Sequence, residues 1–448
     1  MIKIKPLTRL ALQKPNAGLL LFVATITAII LANTPLGIYY NQFLALPINL
    51  QIGDFMVFSH HGEPMSLLAF VNDALMAVFF FSVGLEIKQE ILVGELSTVR
   101  KAMLPIIAAF GGMIVPVLVY LSIAHNQPEI RGAAIPMATD IAFALAVLGM
   151  LGKRVPISLK IFLTAFAVVD DIGGIIVIAL FYSKHVFITP LLISFAILIV
   201  LYICSCRGVH AKWFYYVGGF IIWTLFMESG IHATIAGVLV AFTIPARQSV
   251  GLDDFANEMK TNLDLLDFTQ VRHSRSASVL STSQVHILSN IHNLADKTVC
   301  PLQQMVEKLH PMVSYLILPL FAFVNAGIRL EGFNLSTLMN IPLAIFLGLF
   351  IGKTVGIFLF SYLFAKTGLI SIPPGINKQS LLGVSMLGGI GFTVSLFIAN
   401  LSFASVPEMG ETLLNDSKLG IFVGSLISGF CGYMYLKRVL PKEKEILK

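Results

Sequence analysis

Two adjacent aspartates, Asp170 and Asp171, sit within residues 161–181, a stretch otherwise almost free of polar side chains. A charged group at the centre of a bilayer costs roughly 2.5–3.5 kcal/mol on insertion scales, so such residues usually face a bundle interior, pair with something, and carry ions or protons. Asp140 and Lys353 are as deep in apolar sequence. Left unpaired, the four groups would cost on the order of 10 kcal/mol. One ion pair accounts for two of them. Three acids against one base leave a surplus of negative charge, which is what a cation site needs. Successive helical residues point about 100° apart. Asp170 and Asp171 therefore face different directions, one free to line a cation site and the other to meet a partner such as Lys353.

Thr139 precedes Asp140 at a predicted helix break, and carboxylate, hydroxyl and exposed carbonyl oxygens suit a hard cation such as Na⁺. In a low dielectric the charged form is costly, so one carboxylate can hold either a proton or a cation. Competition at one site, combined with alternating access, exchanges the two without a catalytic group or cofactor. Lys353 has two readings. It neutralises the dipole ends of broken helices, or it releases a proton when a cation displaces its pairing with an aspartate.

The elements that must position these residues follow from composition. The chain is 56% hydrophobic and 12% charged, against about 25% charged in a soluble domain. Runs near 16–35, 66–91, 103–124, 133–151, 157–182, 188–205, 213–228, 230–246, 305–326, 341–364, 379–402 and 414–436 predict about twelve transmembrane helices in an all-α polytopic membrane protein. The whole chain, 1–448, reads as one integral membrane domain. The basic start followed by a full-length apolar run reads as an uncleaved first span. With the N-terminus inside, every Lys and Arg except Arg131, Lys184, Arg329, Lys418 and Lys353 falls in or beside a cytoplasmic segment. That asymmetry puts both termini in the cytoplasm. It also accounts for the net charge of +6 without nucleic acid. Cys204, Cys206, Cys300 and Cys431 map to the cytoplasmic side or close to it, where disulfides are rare.

Met137, Ile141 and Phe143 are echoed at constant offset by Met386, Ile390 and Phe392. Both segments carry a predicted interruption, at Ala138-Thr139-Asp140 and at Gly388-Gly389-Ile390-Gly391. Interrupted helices at matching positions of inverted repeats point to a substrate site where they cross at the bilayer midplane. Residues 45–58 read as a short external β-hairpin or a plain loop, the hairpin edge being able to pair with another subunit. His60 and His61 read as external loop residues. Residues 247–304, including the Ser-rich run 274–283, read as a cytoplasmic hydrophilic insert, partly disordered.

Together the motifs resemble the NhaA family of bacterial Na⁺/H⁺ antiporters. Asn72-Asp73-Ala74-Leu75-Met76-Ala77-Val78-Phe79-Phe80 with Val83-Gly84-Leu85-Glu86 is similar to the family's second helix. Ala138-Thr139-Asp140-Ile141-Ala142-Phe143-Ala144 resembles its first interrupted helix, and Val169-Asp170-Asp171-Ile172-Gly173 its ion-binding helix. His232 to Gly237, Pro319 to Gly327, Gly352-Lys353 and Gly389 to Thr393 continue the likeness in order, leaving out only 247–304. The inverted-repeat rule is itself drawn partly from this family.

The resemblance implies a twelve-helix exchanger of the bacterial inner membrane, homodimeric through the hairpin and surrounded by lipid. It would extrude Na⁺ or Li⁺ and import H⁺, electrogenically and under pH control. By matching position Asp171 is the cation ligand and Asp170 the proton-linked partner of Lys353, with Asp140 and Thr139 adjoining. Asp73 lies toward an external funnel, and Glu86 and Glu90 resemble a pH-responsive entrance. A solvated helix end accounts equally for Glu86, Lys88 and Glu90, and a helix-start position for His232. Where the family often has an acid four residues before the His-Pro at 310–311, this chain has Val306, followed by Glu307.

Other classes fit less well. An intramembrane aspartyl protease needs acids on two facing helices, typically with a Gly-x-Gly-Asp motif that the chain lacks. A passive channel would show repeated filter motifs. A receptor would have no use for deep acids.

Overall fold

In the computed structural model, the described residues are 17–441 apart from 49–50, 53–54, 57–58, 61–62, 183–185, 266–279, 330–337, 369, 371, 405 and 408. The first basic cluster, Lys184, His61, Gly53, Asp54 and much of the Ser-rich run lie outside them.

Apolar stretches broken by Gly, Pro and charged residues become helices, because a backbone in lipid must satisfy its own polar groups. α1 (Ala17–Ala32) and α2 (Gly37–Leu44) meet at 116°. Short strands follow: β1 (Pro47–Ile48), β2 (Gln51–Ile52), β3 (Phe55–Met56), β4 (Ser59–His60) and β5 (Glu63–Ser66). Pro47 pairs with Ser66, Gln51 with Met56 and His60 with Glu63, all antiparallel. The β-structure therefore reaches beyond residue 58, and His60 belongs to a strand instead of a loop.

The helices continue with α3 (Leu67–Val93), α4 (Val99–Ile123), a 3₁₀ segment (Glu129–Met137) leading into α5 (Ile141–Gly149), α6 (Ile157–Phe181), α7 (Ile188–Cys206), α8 (Lys212–Ser229) and α9 (Thr234–Thr243). Residues 247–304 carry α10 (Leu252–Asp264) and α11 (Thr282–Thr298). α12 starts as Pro301–Met312 and runs through a π turn, Val313–Ile317, into Leu318–Asn325. α13 (Ile341–Lys366), α14 (Lys378–Leu387), α15 (Phe392–Phe403) and α16 (Gly410–Val439) complete the chain.

Among the described residues, six helices are long and apolar enough to cross a membrane, α3, α4, α6, α7, α13 and α16. The number is up to nine if each bent pair counts as one span. The 3₁₀ segment with α5 bends by 41°, and α14 with α15 by 46°. α8, α9 and α12 occupy predicted spans without meeting that test, α9 being only 10 residues long.

Three elements position the site. Along α13, Gly348, Gly352 and Gly356 are spaced four apart, and small residues at that spacing let helix backbones approach closely. A Cβ on Gly356 would stand 2.1 Å from the Gly111 carbonyl oxygen of α4. Lys353 follows the π turn Gly348–Gly352 on this tightly held helix. α6 presents Asp170 and Asp171 to the interior, in a core that includes Phe162, Phe166, Ile357 and Leu387. The two breaks, 138–140 and 388–391, bring helix ends together inside the protein.

Candidate functional site

A helix end leaves backbone donors and acceptors without intrahelical partners, and here the two breaks supply them to each other. The Asp140 amide donates to the Ile390 carbonyl at 2.6 Å. The Thr139 hydroxyl donates to the Gly388 carbonyl at 2.9 Å. Gly391 permits the approach, since a Cβ there would lie 2.3 Å from the Ser395 hydroxyl and 2.8 Å from the Ala138 carbonyl oxygen.

Asp140 caps α5 by accepting from the Phe143 amide through Oδ1 at 3.0 Å. Its Oδ2 accepts from both the amide and the hydroxyl of Thr393, at 3.1 and 2.6 Å, in the first turn of α15. A carboxylate at two helix N-termini is favourably placed against their partial positive charge. Thr393 appeared in the sequence only within a motif; its place in the turn after a glycine break was the signal of its role.

Lys353 is 0% and Asp170 2% exposed, and the Lys353 ammonium donates to Asp170 Oδ2 at 2.5 Å. It also donates to the Thr139 hydroxyl at 2.7 Å and lies 5.5 Å from the centre of the Phe166 ring. One cation thus touches both the aspartate helix and the first break. Asp170 Oδ1 is buried with no hydrogen-bond partner among the described residues.

Asp171 faces elsewhere. It lines a cavity of about 100 Å³ with Thr139, Asp140, Glu86, Ser82, His310 and Thr393. Its carboxylate accepts no hydrogen bond among the described residues. Among the described residues, no three His, Cys, Asp or Glu side chains converge closely enough to clasp a metal ion. A cation beside Asp171 would therefore complete its shell with hydroxyl, carbonyl or water oxygens.

The outer candidates separate. Glu86 joins the Asp171 cavity. Glu90 Oε2 accepts from the Glu95 amide at 2.9 Å, at the end of α3. Lys88 donates to the Phe242 and Ile244 carbonyls at 2.7 and 2.6 Å, closing the C-terminal end of α9. Asp73 and His232 line a second cavity of about 660 Å³, with His232 Nε2 4.0 Å from Asp73 Oδ1. His232 Nδ1 is 3.1 Å from the Thr234 hydroxyl, in the first turn of α9. Glu307 is exposed and lines neither cavity, whereas His310, one turn on, reaches the Asp171 cavity.

Touching helix breaks, a buried ion pair and a second buried carboxylate open to a cavity define a helical membrane protein with an ionisable interior. The chain belongs to the family described as Na⁺/H⁺ antiporter 1, whose model matches residues 8–436. It is 65% identical to the Na⁺/H⁺ antiporter NhaA of Parabacteroides distasonis over 98% of this chain and 97% of that protein. It is 52% identical to the protein of the same name from Porphyromonas gingivalis over 98% and 97%. Against the one from Proteus mirabilis the figure is 44%, over 96% of each.

Proposed function

We propose that the chain is a secondary antiporter that exchanges cytoplasmic Na⁺ or Li⁺ for external H⁺ across the bacterial inner membrane. The observation that carries this reading is the contrast between two neighbouring carboxylates. Asp170 is held by Lys353, while Asp171 stands without a hydrogen bond on a cavity where two helix breaks meet. A buried carboxylate in that situation takes up a proton or a hard cation to relieve its charge. The names of the relatives support the same pair of ions.

Asp171 is the cation ligand. Asp170 and Lys353 are its proton-linked partners, and Thr139 and Asp140 border the site. A cation arriving at Asp171 weakens the hold of Asp170 on Lys353 and favours proton release, which makes exchange electrogenic when more than one proton moves per Na⁺. Asp73 belongs to the external mouth. The response to pH lies on α3 and α12 at Glu86, Glu90 and Glu307, of which Glu86 is nearest the site, with His232 on the external side. The chain spans the membrane about twelve times as two inverted halves, forms one domain with both termini cytoplasmic, and dimerises through the external hairpin. Residues 247–304 form a cytoplasmic insert.

Everted vesicles test the reading. Adding Na⁺ or Li⁺ should collapse a pre-formed pH gradient, with K⁺ inert, across a pH series. Asp171→Asn should abolish the collapse while the protein inserts at the usual level. Full exchange by that variant overturns the assignment.

A further inference from the structure

The Asp171 and Asp73 cavities share α3 and α15. Phe79 and Glu86 of α3 and Thr393 and Val394 of α15 line the first. Asn72 and Asp73, with Phe397 and Asn400, line the second. Phe397 forms the inner wall of the second cavity, and along α3 Met76 falls between the two sets of lining residues; with Phe80 and Phe321 they make a layer in which none is more than 2% exposed. The Phe397 ring is 5.6 Å from Phe80 and 6.4 Å from Phe321, centre to centre.

On the Asp73 side of this layer runs a chain of three amides. Asn400 donates one amide hydrogen to Asn325 Oδ1 at 2.9 Å and the other to the Leu396 carbonyl at 2.9 Å. Asn325, 0% exposed, donates one to Asn72 Oδ1 at 2.8 Å and the other to the Phe321 carbonyl at 3.0 Å. Every donor of both amides is used, so the chain has one direction, from α15 through α12 to α3. Asn72 belongs to the π turn Val71–Leu75, a kind of irregularity that often marks functional positions.

Packing alone gives no reason for three amides here, since a buried polar group is costly unless it is bonded. Their placement does give one. To open the Asp73 cavity onto Asp171, Phe397 must part from Phe80 and Phe321, which takes α15 away from α3 and α12. The amides span the α15–α12 and α12–α3 boundaries. Interhelical hydrogen bonds in membranes are individually weak, so two of them can break and re-form within a transport cycle.

We propose that Asn72, Asn325 and Asn400 form a latch that holds the aromatic layer shut between the Asp73 cavity and the Asp171 site, and that it opens and recloses in each cycle. The inference rests on the reading of the Asp73 cavity as the external mouth.

Its test is sided labelling. In a background with Cys204, Cys206, Cys300 and Cys431 replaced by Ser, Val394→Cys reports from the Asp171 cavity. A membrane-impermeant maleimide is applied to intact cells and, separately, to everted vesicles. Asn325→Ala, which removes both interhelical bonds, should raise the external labelling rate several-fold, and Asn400→Ala, which removes one, about two- to threefold, with the cytoplasmic rate unchanged in both. Asn325→Ser, which keeps a donor and an acceptor, should fall between. External labelling at the parental rate, in variants inserted at the parental level, overturns the latch. So does an equal rise from both faces, which marks general loosening. A rise confined to the cytoplasmic face keeps the latch and overturns the assigned sidedness. A parent protein without Na⁺-dependent exchange overturns the transport reading alone, because labelling needs no turnover.

Discussion

Asp140 and Asp171 share one cavity but differ in what their oxygens already hold. Asp140 accepts three hydrogen bonds, one from its own helix and two from Thr393. Asp171 accepts none among the described residues. The first carboxylate is thereby a pin between α5 and α15, and the second is the one open to a ligand. Thr393→Val keeps the side-chain shape and the backbone donor but removes the hydroxyl from Asp140 Oδ2. Leaving a buried acceptor under-satisfied costs about 1–3 kcal/mol. The variant should melt several degrees lower in detergent and exchange more slowly; an unchanged melting curve would remove Asp140 from the role of pin. The Lys353 ammonium touches both the first break, at Thr139, and Asp170, a geometry compatible with either reading of its role.

At the scale of elements, the site depends on how closely α13 lies against α4. Gly352 and Gly356 face Pro116 and Gly111 of α4, Gly348 faces Pro136 of the 3₁₀ segment as well as Pro116, and Lys353 is the next residue after Gly352. Gly356→Ala would place a methyl 2.1 Å from the Gly111 carbonyl oxygen and 2.7 Å from its carbon. Both obstacles are backbone, so no side chain can swing aside and the helices must separate. Overpacking of this kind costs about 1–3 kcal/mol or more, and it would draw Lys353 away from Asp170. The expected outcome is a sharp fall in folded protein on fluorescence-detected gel filtration. Gly174→Ala, one turn from Asp170 on α6, meets nothing within 4 Å and should behave as the parent. Equal yields for the two variants would refute the argument.

At the scale of the molecule, Thr139, Asp140, Asp171 and Thr393 line one cavity, and none of the cavity's lining residues comes from the β-structure or the insert. Gln304, largely buried, donates to the Asp296 and Val299 carbonyls and accepts from Lys212, and the Ser249 amide donates to the Lys297 carbonyl at 3.0 Å. The C-terminal end of α11 is thus fastened to the start of α8 and α12. The β-structure has exposed pairing edges by its nature, which is why it is the proposed dimer contact. Replacing residues 47–66 by a short turn should convert a dimer to a monomer in light scattering while Na⁺-dependent exchange persists. A mass that stays dimeric would place the contact elsewhere.

Much of this was legible in one dimension. A charged side chain in a long apolar run is expensive wherever it occurs, so Asp140, Asp170, Asp171 and Lys353 declared themselves by cost alone. Helical periodicity separated Asp170 from Asp171, and a glycine cluster marked the second break, while the first was marked by Thr139-Asp140 in apolar sequence. Other features depend on which distant segments meet, and no local pattern encodes that. The bonds of Thr393 to Asp140, of Lys353 to both Thr139 and Asp170, and the amide chain through Asn72, Asn325 and Asn400 each join residues far apart in sequence. Glu86 and Glu307 were both named from the resemblance as candidates for a pH response, yet of the two only Glu86 reaches the Asp171 cavity. Burial cost is a property of a residue and its neighbours along the chain. Which partner relieves that cost is decided only when packed helices bring a particular donor within hydrogen-bonding reach.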